Sequence, residues 1–171
     1  MPLPGLASRL TLAGLEVEGI VYIGLPLPQV NSLDDQSGNE NTNLNISGLS
    51  WETDKIVVAS VSEVMPHPNA DRLVLCKLYD GEREHIVLTG APNLYPFKGV
   101  GPLSTPLKVA YARQGARIYD GHQPGQVITT LKPAKIRGVE SYSMICSEKE
   151  LGISEDHEGV IILDEDAPVG V

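Results

Sequence analysis

From Thr130 to Ile153 the chain reads Thr-Leu-Lys-Pro-Ala-Lys-Ile-Arg-Gly-Val-Glu-Ser-Tyr-Ser-Met-Ile-Cys-Ser-Glu-Lys-Glu-Leu-Gly-Ile. Three basic residues, Lys132, Lys135 and Arg137, lead into a glycine turn at Gly138 and then into a short apolar strand, Tyr142 to Cys146. Ser147 stands three residues before Glu150, the spacing of a capping box, in which serine and glutamate each satisfy a backbone amide at a helix start. Leu151 and Gly152 then close a single helical turn. Few folds need a cationic lead-in, a strand and a one-turn capped helix in that order.

The surrounding sequence is mostly β. Ile56 to Val64 is rich in β-branched residues, and Leu73 to Leu78 alternates, with Val74, Cys76 and Leu78 on one face and Leu73, Leu75 and Lys77 on the other. Asp80-Gly81 predicts a hairpin turn into Glu84 to Leu88. Lys108 to Ala112, Ala116 to Tyr119, Val127 to Leu131 and Gly159 to Leu163 add short strands. The 17 glycines and 13 prolines suit many tight turns better than long helices. Short strands around one small helix predict a mainly β fold, a five-stranded Greek-key barrel of the oligonucleotide-binding kind with appended strands.

Toward the start, Leu3, Leu6, Leu10 and Ala13 recur at helical spacing, with Gly14 placed to end the helix, and Glu16 to Ile23 alternates like a strand. Gln29 to Asp54 shifts to Asn, Ser, Asp and Gly, and is expected to be a flexible insertion for want of apolar side chains to bury. The expected domains are therefore a barrel over 55–153, the insertion over 29–54, and a small α+β module in which 1–28 packs with 154–171.

Composition removes several classes. No apolar run approaches the roughly 18 residues of a membrane span, and the N-terminus carries no basic-then-apolar signal, so the expected compartment is the cytoplasm, with no membrane partner. Cys76 and Cys146 sit in separate apolar runs with no ligand-spaced partner, which predicts buried thiols rather than a disulfide or a metal site. No phosphate-binding glycine loop or dinucleotide fingerprint occurs, and His67, His85, His122 and His157 pair with no nucleophile motif. No catalytic residue and no metal ligand is expected.

The net charge of −9 is unevenly spread. Residues 56–163 hold 11 basic and 12 acidic side chains, whereas the rest hold 2 and 10. Between Leu107 and Val139 six basic residues (Lys108, Arg113, Arg117, Lys132, Lys135, Arg137) face a single acid, Asp120. A local positive face can thus exist on an acidic molecule, with RNA affinity expected to be modest and salt-sensitive. Lys132, Lys135 and Arg137 are the leading candidates for phosphate contact; Arg72 at a strand start and Lys149 in the capped turn complete the set. Pro66-His-Pro-Asn-Ala-Asp-Arg-Leu73 and Gly90-Ala-Pro-Asn93 read first as turn chemistry.

Those last two segments, together with Lys135-Ile-Arg-Gly-Val-Glu-Ser141 and Met144-Ile-Cys-Ser-Glu-Lys-Glu-Leu-Gly152, resemble the tRNA-binding domain shared by stand-alone tRNA-binding proteins, some methionyl-tRNA synthetases and the bacterial phenylalanyl-tRNA synthetase β subunit. Leu10 to Glu18, Ser154 to Gly159 and Asp164 to Gly170 are similar to the β subunit in particular. The resemblance implies an N-terminal, non-catalytic fragment, with the barrel inserted in a module built from both ends of the chain. It implies an assembly of two α and two β subunits that uses ATP and magnesium, with the chemistry on the α subunit and neither cofactor held by this fragment. The implied partners are tRNA, the α subunit and a second β subunit, and not DNA. A free-standing homodimeric tRNA-binding module and a scaffold domain without RNA contact are the alternatives.

Overall fold

The structure, a computed structural model, describes residues 3–28 and 44–171. The chain divides into two compact units, Met1–Ser50 and Trp51–Val171.

In the first unit, helix α1 (Leu3–Leu12) is followed by strands β1 (Gly19–Gly24) and β2 (Asn45–Ser50). Gly14 ends the helix as expected: its N–H reaches Thr11 O at 3.0 Å, and Leu15 N–H reaches Leu10 O at 2.9 Å. The Leu10 and Thr11 carbonyls of the last turn are thereby satisfied. Strands β1 and β2 pair in parallel, from Gly19 opposite Asn45 to Gly24 opposite Ser50. The expected insertion over 29–54 is thus corrected at its end. Ile46 is half-buried and Leu49 only 4% exposed, so this segment has apolar side chains to bury and a strand to pair with. The portion 29–43 lies outside the described residues.

The second unit is a six-stranded antiparallel sheet with small attachments. Strands β3 (Ile56–His67), β4 (Ala70–Tyr79) and β5 (Glu84–Thr89) form a meander, followed by a 3-10 helix over Pro92–Phe97 and strand β6 (Leu107–Ala112). Strands β7 (Arg117–Tyr119) and β8 (Ile128–Thr130) pair, as do β9 (Ala134–Ile136) and β10 (Val139–Ser141). Strand β11 (Met144–Ile145), helix α2 (Glu148–Leu151) and strand β12 (Ile162–Leu163) complete the order. The main sheet runs β11-β6-β3-β4-β5, with β12 also on β6. Its end strands, β5 and β11, come within 8 Å between Cα atoms without forming a backbone ladder. The sheet rolls on itself toward the barrel shape that the strand pattern predicts, and the fold is mainly β, of the oligonucleotide-binding type.

Alternation decides the core. Val74, Cys76 and Leu78 of β4 are buried while Leu73, Leu75 and Lys77 are less so, the division read from the sequence. They meet Val57, Ala59, Val61 and Val64 of β3 and Leu94 of the 3-10 helix in one cluster. Strand β6 is buried on both faces: Val109 and Tyr111 enter that cluster, while Ala110 and Ala112 enter a second with Ile118, Cys146 and Leu151. The capping box forms: Ser147 N–H donates to Glu150 Oε2 at 2.6 Å and the Glu150 backbone N–H turns to the Ser147 side chain, whose hydroxyl in addition donates to Glu150 Oε2.

The C-terminal segment corrects the expected domain plan. Residues 154–171 group with the sheet rather than with 1–28. Ile162 pairs with Val109 and Leu163 with Lys108, and Gly170 N–H and Val171 O bond both backbone groups of Val58 at 2.8 Å. The apolar run Ile161 to Leu163 thus finds backbone partners on the sheet. Gly81 (φ +94°) and Gly170 (φ +87°) abut so closely that a Cβ on Gly81 would stand 2.6 Å from the Gly170 Cα. Only glycine fits that contact.

Candidate nucleic-acid interface

The three leading cations lie on or beside one hairpin. Its strands β9 and β10 pair Ile136 with Val139, Lys135 with Glu140 and Ala134 with Ser141, leaving a two-residue turn of Arg137 and Gly138. Both turn residues have positive φ, +50° and +87°. That is the mirror-image turn whose twist matches paired strands. Gly138 adopts it freely, whereas Arg137 is the lone non-glycine residue with positive φ among the described residues, at a cost of roughly 1 kcal/mol. The chain that leads into the hairpin is anchored to the end of the β7–β8 pair, where Leu131 N–H donates to Ala116 O at 3.0 Å and Gly115 N–H to Leu131 O at 2.9 Å.

Lys132, Lys135 and Arg137 are all exposed, and none forms an ion pair among the described residues. The other basic residues of this region fare differently. Arg113 is spent internally, bonding Asp80 Oδ2, Asp80 O and Asp54 O at 3.1, 3.0 and 2.9 Å. Lys149 donates to Gln123 O at 3.0 Å and its side chain is 11% exposed, so it staples two loops. Arg72 is exposed on β4, where its carbonyl accepts the Tyr95 hydroxyl at 2.7 Å. Of the five candidates, the structure therefore groups three on the hairpin, sets Arg72 apart on the main sheet and commits Lys149 to a local bond.

A polar chain bridges the unladdered edges of the sheet. Buried Asp80 contacts His85 Nε2 at 3.1 Å, and His85 Nδ1 contacts the Tyr142 hydroxyl at 3.0 Å. Burial alone would raise the Asp80 carboxyl. The amides of Arg83 and Glu82, the His85 ring and the Arg113 charge together outweigh it and hold the pKa at about 2. Burial pushes the Tyr111 hydroxyl up to about 12 and the Cys76 thiol to about 12, and it raises Cys146 as well. Both cysteines are buried and free, as expected, and their thiols stay protonated at neutral pH.

Beside the hairpin runs an open groove of about 530 Å³. Leu73, Leu88, Met144 and Val160 contribute apolar lining, and Ala134 and Ile136 come from β9. Tyr142, Lys132, His122, His157 and Glu158 add the polar lining. Asn93 sets one side of it: its amide donates to Val160 O at 2.9 Å and accepts from Val160 N–H at 3.1 Å. The Gly90-Ala-Pro-Asn93 segment is thus a clamp, a role that its turn-like sequence only half discloses. From sequence, Asp156-His157-Glu158 reads as a solvated turn and His122 as an isolated histidine, and their separation of 35 positions in the chain hides that both line one groove. Pro66 to Leu73 behaves as turn chemistry, with His67 Nδ1 accepting from Asn69 N–H at 3.0 Å. Among the described residues no three His, Cys, Asp or Glu side chains converge as a metal site, and no helix is long and apolar enough to cross a membrane.

Residues 121–171, which include the hairpin, α2 and the C-terminal strand, match the family described as "Putative tRNA binding domain". Over longer stretches the chain is similar to proteins named phenylalanine–tRNA ligase beta subunit. One from Dehalococcoides mccartyi is 46% identical over 135 residues, 79% of this chain and 15% of that protein. Another, from strain CBDB1 of the same species, is 45% identical over 166 residues, 97% of this chain and 16% of that protein. One from Cupriavidus pinatubonensis is 38% identical over 166 residues, 96% and 16% of the two chains. The chain thus spans about 16% of the length of the relatives it matches. A solved structure, the MetRS related protein from Pyrococcus horikoshii, aligns with a TM-score of 0.42 at 20% identity, over 68% of this chain and 85% of that one.

Proposed function

We propose that this chain, similar over nearly all its length to phenylalanine–tRNA ligase β subunits, is a non-catalytic portion of such a subunit whose hairpin contacts tRNA. One observation carries the reading: Lys132, Lys135 and Arg137 stand exposed and without an ion pair, among the described residues, on and beside a hairpin inside the matched tRNA-binding domain, on a protein whose net charge is −9. Exposed cations that form no ion pair even with Glu140 across the hairpin, one of them at a backbone angle that disfavours it, are free to meet an external anion. In this reading the segment is N-terminal in a cytoplasmic ligase of two α and two β subunits. Attachment of phenylalanine to tRNA with ATP and magnesium belongs to the rest of that assembly.

The test is replacement of Lys132, Lys135 and Arg137 by Ala together, with tRNA binding followed by fluorescence anisotropy at several salt concentrations. The expected outcome is at least about tenfold weaker binding and a shallower dependence on salt, by roughly 0.7–0.9 per lost phosphate contact. Thermal stability should barely change, because the three side chains are exposed. Unchanged binding and an unchanged salt slope would favour a scaffold role without RNA. A stable dimer in light scattering, with tight tRNA binding by this chain alone, would favour the free-standing module instead.

A further inference from the structure

The groove beside the hairpin has a chemistry of its own. Its floor, from Leu73, Leu88, Met144 and Val160, can desolvate a flat apolar face. Lys132 lines it from the segment just before β9, with Lys135 on β9 and Arg137 in the hairpin turn that follow it in the chain. Glu158 lines it from the 157–160 segment, which Asn93 clamps in place. The site therefore combines an apolar floor, the Lys132 cation from one chain segment and the Glu158 carboxylate from another, the Glu150 carboxylate on its wall being already bonded to Ser147. Tyr142 is half-buried, and its hydroxyl is tied to His85, so its ring meets the groove in a fixed orientation. Rings held in this way accept a stacking partner with little loss of freedom.

We propose that this groove takes one unpaired nucleotide of a bound RNA, its phosphate toward Lys132 and its base amino edge toward Glu158. The proposal rests on the reading of the hairpin as an RNA contact and deepens it by naming what part of the RNA is held. A nucleotide carries the matching polarity: a phosphate anion at one end, a flat apolar ring, and amino donors on cytosine, adenine or guanine at the other. A carboxylate accepts from such amino donors, whereas uracil offers it only one N3–H flanked by two carbonyl oxygens that repel it, so the amino-bearing bases are favoured. A volume of about 530 Å³ lies in the range of sites that enclose small molecules and is too small for a duplex. A paired base has both faces stacked and its amino edge occupied, so only a splayed base can use the floor and Glu158 together. An apolar peptide would cover the floor but leave the cations and the carboxylate without partners.

The experiment measures anisotropy of labelled octamers of cytidine and of uridine, and of a duplex of the same length, on the full chain. Wild type should bind the cytidine octamer about tenfold tighter than the duplex, and tighter than the uridine octamer. Glu158→Ala should erase the preference for cytidine over uridine. Ala134→Trp, which fills the groove from β9 without removing a charge, should lower single-strand affinity to the duplex level. Cytidine monophosphate should shift the methyl NMR signals of Met144 and Ile145 in wild type and not in A134W. Equal binding of single strand and duplex by wild type, or wild-type behaviour of A134W with its fold intact by NMR, overturns the proposal. So does a response of those methyls to acetyl-Leu-Val-Leu-amide without one to cytidine monophosphate, which would give the groove to a peptide. If the triple alanine variant loses binding to every RNA while A134W keeps wild-type binding, the hairpin reading stands and the groove assignment falls. If wild type binds no RNA, both fall.

Discussion

Arg137 shows what a single position concedes and gains. Its φ of +50° is the region that Asn and Gly tolerate best, so Arg137→Asn is expected to raise stability by a few tenths to about 1 kcal/mol while weakening tRNA binding. Paired thermal melts and anisotropy check both halves, and a variant that loses stability would show that the guanidinium has an internal partner. Asp80 makes the opposite kind of statement. Its folded pKa, about 2, lies below the ordinary 3.8. Its stabilisation is complete above about pH 4 and is lost as pH falls from there toward 2, a difference of roughly 2 kcal/mol. Denaturant midpoints measured between pH 5 and pH 2 should fall in wild type, and the fall should be reduced in Asp80→Asn. That variant is also expected to be less stable at neutral pH by about 3 kcal/mol, because Arg113 loses its buried counter-charge.

Elements differ in how much of them can be read locally. The capped turn at Ser147 to Gly152 was legible because every group it needs lies within six residues, and both capping contacts form. Ser147→Ala is expected to cost about 1 kcal/mol in a thermal melt, mostly at this turn. The long strands β3, β4 and β6 were legible from alternation and β-branching. Strand β2 was not, because its Asn- and Ser-rich surroundings hide the two apolar residues that anchor it, and its partner β1 lies about 20 residues away. The β9–β10 hairpin was half legible: Gly138 signalled a turn, but an arginine rather than an asparagine before it concealed the two-residue type. The basic cluster itself was visible in sequence, whereas the groove beside it was not, since its walls come from six separate stretches that only the rolled sheet assembles.

At the scale of the whole molecule, the two units carry different kinds of order. The first depends on a single helix and a parallel strand pair, the second on a rolled sheet completed by the C-terminal segment. Removing residues 160–171 is therefore expected to do more than trim a tail. It uncovers the outer edge of β6 and the backbone of Val58, and the truncated chain should lose its cooperative melt and aggregate in light scattering. A truncated chain that melts like wild type would show the segment to be merely draped on the sheet. One further feature of the second unit has a practical use. Trp51, the sole tryptophan of the chain, donates its indole N–H to Leu151 O at 3.1 Å and rests against the cluster that joins β6 to α2. Its emission is thus an optical tag supplied by nature, reporting without any label whether the capped turn is seated, and able to time its departure in a stopped-flow trace.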